Sequence, residues 1–275
     1  MEESVLVDKC LSLRKVIVER GSGVQCPVEG TNVAVRIQQR QNDRIVQFEV
    51  GSGDTLLDDY LDSLVLTMKY EEVSICSFPS SCFTEGSSRP DKELVEVTVS
   101  LDRMPESTSP VADLPSPGQR LVLAKQLKDR GGQLVSTSSW WLAARRYSRA
   151  AKHCILGLTV QDLDRALQEE LIDIRAKCHL NLAACQLRMG DAVKVVKNCT
   201  YVLDMQPDNV KALYRRGRAL SAVKEYERAE ADFKHALQCD PQNRQVVNAY
   251  DDLKACMKKQ DTYYHNALKS MFGGT

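Results

Sequence analysis

Residues 176–209 and 210–243 align with one another at a fixed offset of 34 residues, and this repeat restricts the possible folds more than any other feature of the chain. The shift carries Asn181 to Arg215, Ala183 to Gly217, Val195 to Ala229, Cys199 to Phe233, Val202 to Ala236 and Pro207 to Pro241. Leu213, Gly217 and Leu220 share one face of a first helix, and Tyr226, Ala229, Phe233 and Ala236 share the matching face of a second. Small residues stand where two helices must approach closely. Pro207 and Pro241 each follow a second helix, where the missing N–H and fixed φ end it at little cost.

A helix-turn-helix repeat of this length has the tetratricopeptide (TPR) period. One such unit cannot bury its apolar face, so neighbours stack and leave a concave groove able to hold an extended peptide. Gln186, where the pattern usually has an aromatic residue, and Arg216, where it usually has leucine, depart from it without breaking the register. Two repeats are marginal, so a third is expected upstream at about residues 124–157, where Trp140, Ala143, Tyr147 and Ala150 repeat the spacing of Tyr226, Ala229, Phe233 and Ala236. Residues 161–174, with Leu163, Leu167, Leu171 and Ile174 at helical spacing, read as an extension of that unit's second helix plus the connection. Val246, Val247, Tyr250, Leu253, Met257, Tyr264, Leu268 and Met271 indicate a further helix over about 244–272. Its expected role is to cap the open end of the solenoid, the alternative being a calmodulin-type target helix.

Residues 1–101 carry a different pattern. Short β-branched runs at 16–18, 33–37, 45–50, 72–75 and 94–101 predict strands, and residues 56–68 have apolar positions at helical spacing. The order β, β, β, α, β, β implies an α+β domain with an antiparallel sheet packed on one short helix. Between it and the all-α solenoid of 120–275, residues 102–119 gather Pro105, Pro110, Pro115 and Pro117 among Ser, Thr and Gly, which is linker composition.

Thirty-seven basic residues balance thirty-seven acidic ones, so the net charge gives no support to a nucleic-acid surface. No apolar run reaches membrane-spanning length, and Met1-Glu2-Glu3 does not open a secretory signal. The ten cysteines show no Cys-x-x-Cys pair and no His partner at zinc-ligand spacing. They read as small buried hydrophobes in a reducing compartment, the cytoplasm or also the nucleus, with no metal and no cofactor. Asn198-Cys199-Thr200 matches a glycosylation sequon by accident, because it falls on a helix.

Lys15-Val16-Ile17-Val18-Glu19-Arg20-Gly21-Ser22-Gly23, Gly30-Thr31-Asn32-Val33-Ala34-Val35, Phe48-Glu49-Val50-Gly51-Ser52-Gly53 and Thr67-Met68-Lys69-Tyr70-Glu71-Glu72-Val73 resemble the FKBP immunophilin domain. With Asn181-Leu182-Ala183-Ala184-Cys185-Gln186-Leu187, Ala212-Leu213-Tyr214-Arg215-Arg216-Gly217 and Met271-Phe272-Gly273, the chain resembles divergent FKBP-like proteins with a C-terminal TPR domain. That resemblance implies a two-carboxylate clamp for the C-terminal Glu-Glu-Val-Asp tail of the ninety-kilodalton heat-shock chaperone, or of the seventy-kilodalton class. Lys128, Asn181, Lys211 and Arg215 stand at the clamp positions. Lys211 and Arg215, four apart on one helical face, can converge on one carboxylate. Gly132 stands where the clamp has its first Asn. Losing one hydrogen bond to a charged group costs about 1.5–3 kcal/mol, roughly ten- to hundredfold in affinity, so weakened tail binding is expected.

Active FKBPs isomerise Xaa-Pro bonds in a dry, aromatic-lined pocket. Here Arg36-Ile37-Gln38 replaces the family's Tyr-Thr-Gly, residues 38–44 are too few to hold the expected Phe-Asp pair, and Ser81-Cys82-Phe83-Thr84 replaces Tyr-Ala-Tyr-Gly. Phe48, Tyr60 and Phe83 remain as a vestigial pocket, with Phe48 and Tyr60 expected to be core. No catalytic residue is assigned. The resulting expectation is a non-catalytic co-chaperone adaptor joining a heat-shock chaperone to a client protein. A weak FKBP-type peptidyl-prolyl isomerase and a TPR scaffold for an internal peptide are the alternatives.

Overall fold

A computed structural model describes residues 4–8, 13–21, 26–27, 31–39, 42–51, 53, 55–84, 87, 89–102 and 115–272. The chain divides into two units, Met1–Leu114 and Pro115–Thr275. Most of the proline-rich stretch, residues 103–114, lies outside the described residues, as do Ser22, Gly23, Gly30, Ser52 and Gly273 of the motifs above.

The first unit is an α+β fold with six antiparallel strands, β1 (Ser4–Asp8), β2 (Leu13–Glu19), β3 (Asn32–Gln39), β4 (Asn42–Glu49), β5 (Val73–Pro79) and β6 (Leu94–Asp102), in spatial order β1-β2-β5-β6-β3-β4. Helix α1 (Leu56–Val65) and a one-turn helix, Ser80–Phe83, lie between β4 and β6 in sequence. The sequence pattern did not reveal β1. It is a short edge strand whose pairing with β2 shifts register between Leu6 and Asp8, so its alternation is weak. Alternation elsewhere fixes which face is buried: Val33, Val35 and Ile37 on β3 meet Val99 and Leu101 on β6 through the pairs Val35↔Leu101 and Ile37↔Val99. α1 begins with a capping box, Thr55 Oγ1 accepting from Asp58 N at 3.1 Å and Asp58 Oδ2 from Thr55 N at 3.0 Å. It buries Leu56, Tyr60, Leu61, Leu64 and Val65.

Past the end of α1 lies a buried ion pair. Lys15 Nζ donates to Glu72 Oε1 and to the Thr67 carbonyl, both at 2.6 Å, while Glu72 also accepts from Ser74 Oγ at 2.8 Å and Lys69 N at 3.1 Å. The cation sits near a helix C-terminus, where the backbone dipole favours it, and the carboxylate is fully hydrogen-bonded.

The second unit is all α-helix. α2 (Pro117–Ser136) pairs with α3 (Trp140–Leu158), α4 (Arg165–Arg188) with α5 (Ala192–Met205), and α6 (Val210–Ala222) with α7 (Tyr226–Cys239); α8 (Arg244–Phe272) follows. α2 starts inside the proline-rich stretch. Ser116 caps it in a capping box with Gln119, and Pro117 occupies the first helical turn, where its missing N–H costs nothing. Each pair is closed by a small residue under a larger one sixteen positions on. A Cβ on Gly131 would stand 2.8 Å from the Tyr147 ring, and one on Gly217 2.7 Å from the Phe233 ring. Ala183 and Cys199, both fully buried, hold the same places in the middle repeat.

Residues 161–174 do not extend α3. Asp162 takes a left-handed φ of 55° after α3 has ended, and Asp164 then caps α4 by accepting from Leu167 N at 3.2 Å. Leu171 and Ile174 therefore belong to α4 and join Leu121, Ala124, Ala150 and Cys154 in the core of the first repeat.

Both departures from the repeat pattern are compensated. Gln186 is buried and accepts from Asn198 Nδ2 at 2.7 Å, and Asn198 Oδ1 faces His179 Nδ1 at 2.8 Å. Arg216 holds Asp232 through two bonds of 2.8 and 2.7 Å and reaches Thr200 Oγ1 at 3.2 Å, so it ties α6 to α7 and α5. α8 covers the last repeat with Val246, Ala249 and Leu253, but Tyr264, Leu268 and Met271 are exposed. Capping is the work of its first half.

Candidate functional site in the repeat groove

α2, α4 and α6 are the first helices of their repeats, and α4 touches both of the others. Lys128 lies on α2, Asn181 on α4, and Lys211 and Arg215 on α6. On α6, Arg215 Nη1 donates to the Leu180 carbonyl of α4 at 2.6 Å, beside Asn181. Burial pushes its guanidinium below the ordinary value, opposed by nearby thiols and tyrosines. Lys128 on α2 pairs with Asp129 at 2.6 Å, and its charge reaches the Cys178 thiol, one turn before Asn181.

Asn181 is half-buried and Lys211 exposed, and among the described residues neither side chain has a hydrogen-bond or ion-pair partner. Lys211 borders a cavity of about 460 Å³ whose other walls include Ala176, Lys177, Leu180 and Val210. Across it, Lys177 is already neutralised by Asp173 at 2.6 Å. Leu180 does two things, lining the cavity with its side chain and orienting Arg215 with its carbonyl. Sequence reasoning passed it over, since a carbonyl leaves no mark on residue type.

Gly132 is exposed on α2, and a Cβ there would meet nothing nearer than Tyr147 Oη at 3.9 Å. Space for a longer side chain exists at this position. Its neighbour Gly131 is the one that packing requires.

The expected vestigial pocket is only partly assembled. Tyr60 is 2% exposed and meets Phe78 edge-on at 5.7 Å, and Phe78 in turn stacks on Phe83 at 6.3 Å. Phe78 was not foreseen from the sequence; its burial on β5 in step with Ser74 and Cys76 was the available signal. Phe48 is half-buried opposite Val33, and no ring contact joins it to the other three among the described residues. Arg44, on the same face of β4 as Phe48, sets its guanidinium 5.3 Å from the centre of the Phe83 ring. β3 and β4 pair without interruption from Asn32↔Glu49 to Gln39↔Asn42, which leaves no room for an inserted Phe-Asp pair.

The described cysteines are free thiols, and burial pushes Cys76, Cys82, Cys178 and Cys199 up to about 12, so they are inert at neutral pH. One expectation about cysteines fails. His235 and Cys239, four apart on α7, meet Asp208, because i and i+4 share a helix face and the fold returns the preceding turn to it.

The tetratricopeptide repeat model matches residues 210–243, which are α6, α7 and their flanking turns. FK506-binding protein 59 of Drosophila melanogaster is 27% identical over 275 residues, covering 94% of this chain and 61% of that protein. The chain joins an FKBP-like domain to a TPR domain. The human FK506-binding protein-like protein is 36% identical over 155 residues, 56% of this chain and 42% of its own length. A solved C-terminal TPR-containing domain of a Plasmodium falciparum FK506-binding protein aligns with a TM-score of 0.51 and 25% identity, covering 54% of this chain and 96% of that one. The chain spans 42–61% of the length of these curated relatives. Among the described residues, no helix is long and apolar enough to cross a membrane.

Proposed function

We propose that this FKBP-like TPR protein is a non-catalytic co-chaperone adaptor of the cytoplasm, or also of the nucleus. Its groove takes the free C-terminal Glu-Glu-Val-Asp tail of the ninety-kilodalton heat-shock chaperone, or the like tail of the seventy-kilodalton class, and brings a client protein to it. The observation that carries this reading is the arrangement around one turn of α4. Arg215 is held on the Leu180 carbonyl, next in sequence to Asn181, and Asn181 and Lys211 remain unengaged among the described residues. Three cations, Lys128, Lys211 and Arg215, and one neutral amide, Asn181, suit a terminal carboxylate, and the cavity bordered by Lys211 suits an apolar side chain. Asp129 beside Lys128 and the absent side chain at Gly132 both act against tight binding.

Titration of a Glu-Glu-Val-Asp peptide with a free and with an amidated C-terminus tests this. The free form is expected to bind at least about tenfold more tightly, since each charge-assisted bond is worth about 1.5–3 kcal/mol. Equal affinities would favour a scaffold for internal peptides.

The non-catalytic reading of the FKBP-like domain rests on Tyr60, which is sealed in the core, and on Arg44, which covers one face of the Phe83 ring. A protease-coupled assay on a Leu-Pro peptide is expected to give the uncatalysed rate. Turnover above it that Phe48→Ala abolishes would establish an isomerase.

A further inference from the structure

On the last repeat three unlike donors, none of them a proposed clamp residue, converge. Asp208 lies in the turn between α5 and α6, and His235 and Cys239 lie on α7. Asp208 Oδ1 is 2.8 Å from His235 Nε2 and 3.8 Å from Cys239 Sγ, and all three donor atoms fall within 4.8 Å of one another. His235 and Cys239, at i and i+4 on α7, thus both reach the same carboxylate oxygen, which brings imidazole, thiol and carboxylate together. Tetrahedral zinc with bonds of about 2.0–2.3 Å to N, O and S separates its ligand atoms by roughly 3.3–3.6 Å. Opening the Asp208–His235 distance and closing the Asp208–Cys239 distance, each by up to about half an ångström, would bring those two pairs to that spacing, and Asp208 and Cys239 are exposed enough to move.

We propose that Asp208, His235 and Cys239 bind a zinc-class divalent cation, with the fourth position open to water. The mixed imidazole, thiol and carboxylate set selects borderline-soft ions over magnesium or calcium, which take oxygen ligands. On binding, His235 ligates through Nε2 with its proton on Nδ1, and the Cys239 thiol gives up its proton to solvent as the metal–sulfur bond forms. The ion ties the turn before α6 to the last turn of α7. It therefore fixes the chain next to Asn209, which caps α6 by accepting from Ala212 N at 3.1 Å, and two residues further from Lys211.

Cobalt(II) added to the reduced full-length chain is the first probe. A near-ultraviolet thiolate-to-cobalt charge-transfer band that one equivalent of zinc removes is the expected result. Cys239→Ser is expected to abolish that band, and His235→Ala to weaken zinc binding at least about tenfold, the usual effect of losing one ligand or its support. Circular dichroism should show unchanged helicity in both, because neither side chain is in the core. Absence of the band, or zinc affinity equal to wild type in both variants, would overturn the proposal. The second result would place any bound metal on other cysteines.

Discussion

Arg215 on α6 donates to the carbonyl of Leu180 on α4 at 2.6 Å, so a residue of the proposed clamp also joins two repeats. Lys211, one turn earlier, makes no such contact. The two therefore differ in what their removal does. Lys211→Ala is expected to weaken tail-peptide binding by about 2 kcal/mol and leave the melting temperature unchanged. Arg215→Ala should weaken binding at least as much and also cost about 1 kcal/mol of fold stability. Calorimetric titration and thermal denaturation of the two variants check this. Equal affinity of wild type and the double variant would sink the clamp.

Adjacent glycines on α2 should respond oppositely. Gly131→Ala drives a Cβ to 2.8 Å from the buried Tyr147 ring, and overpacking of this kind costs about 1–3 kcal/mol. Gly132→Ala meets open space and should stabilise the helix by roughly 0.5–1 kcal/mol. Gly132→Asn should stabilise less, yet tighten binding about tenfold by adding a donor, and only for a peptide with a free C-terminus. If alanine tightens binding as much as asparagine, the gain is rigidity and Gly132 is not a clamp position.

Arg216 and Asp232 form a two-bond ion pair in which the carboxylate is 5% exposed. Its hydrogen bond to Asp232 is the largest factor holding the Arg216 pKa above its ordinary value, against the opposing effect of burial. Arg216→Ala leaves a buried carboxylate without its cation and should destabilise the TPR unit by about 2–4 kcal/mol, less than a fully enclosed pair because Arg216 is partly exposed. Arg216→Leu with Asp232→Leu, which restores the usual apolar contact, should recover most of that. Urea denaturation of both variants reads the difference.

His179 gives the TPR unit an acid sensitivity. Burial lowers its pKa most, the bond to Asn198 opposes this, and the Arg175 guanidinium lowers it further. The ring lies 4.2 Å from that of Tyr201, whose other neighbour is Arg175 at 4.3 Å. With the folded pKa below the unfolded value of about 6.5, the unfolded chain binds the proton first. The contribution of His179 is neutral above that pH, and stability falls as the pH drops through it. Between pH 7.5 and 5, His179→Gln should lose less stability than wild type in urea titrations. Parallel losses would assign the acid sensitivity to other groups.

The repeat by itself determined most of the second unit. A 34-residue offset requires helix pairs that stack, and apolar positions at Leu213, Gly217, Phe233 and Ala236 fix which faces meet, because helical periodicity is local and each residue type reports its own side. Lys128, Asn181, Lys211 and Arg215 were singled out by the family resemblance rather than by the periodicity. The first unit was less legible. β1 is short and irregular, and the pairing of β3 with β6 joins residues sixty positions apart, which no local pattern encodes. Tertiary structure alone decided the partners. It set Arg215 on the Leu180 carbonyl, gave Gln186 its Asn198, laid Arg44 over Phe83, and brought Asp208 to His235 and Cys239. Each of these joins groups from different elements, and a hydrogen bond or ligand set depends on distances that only the packed chain defines.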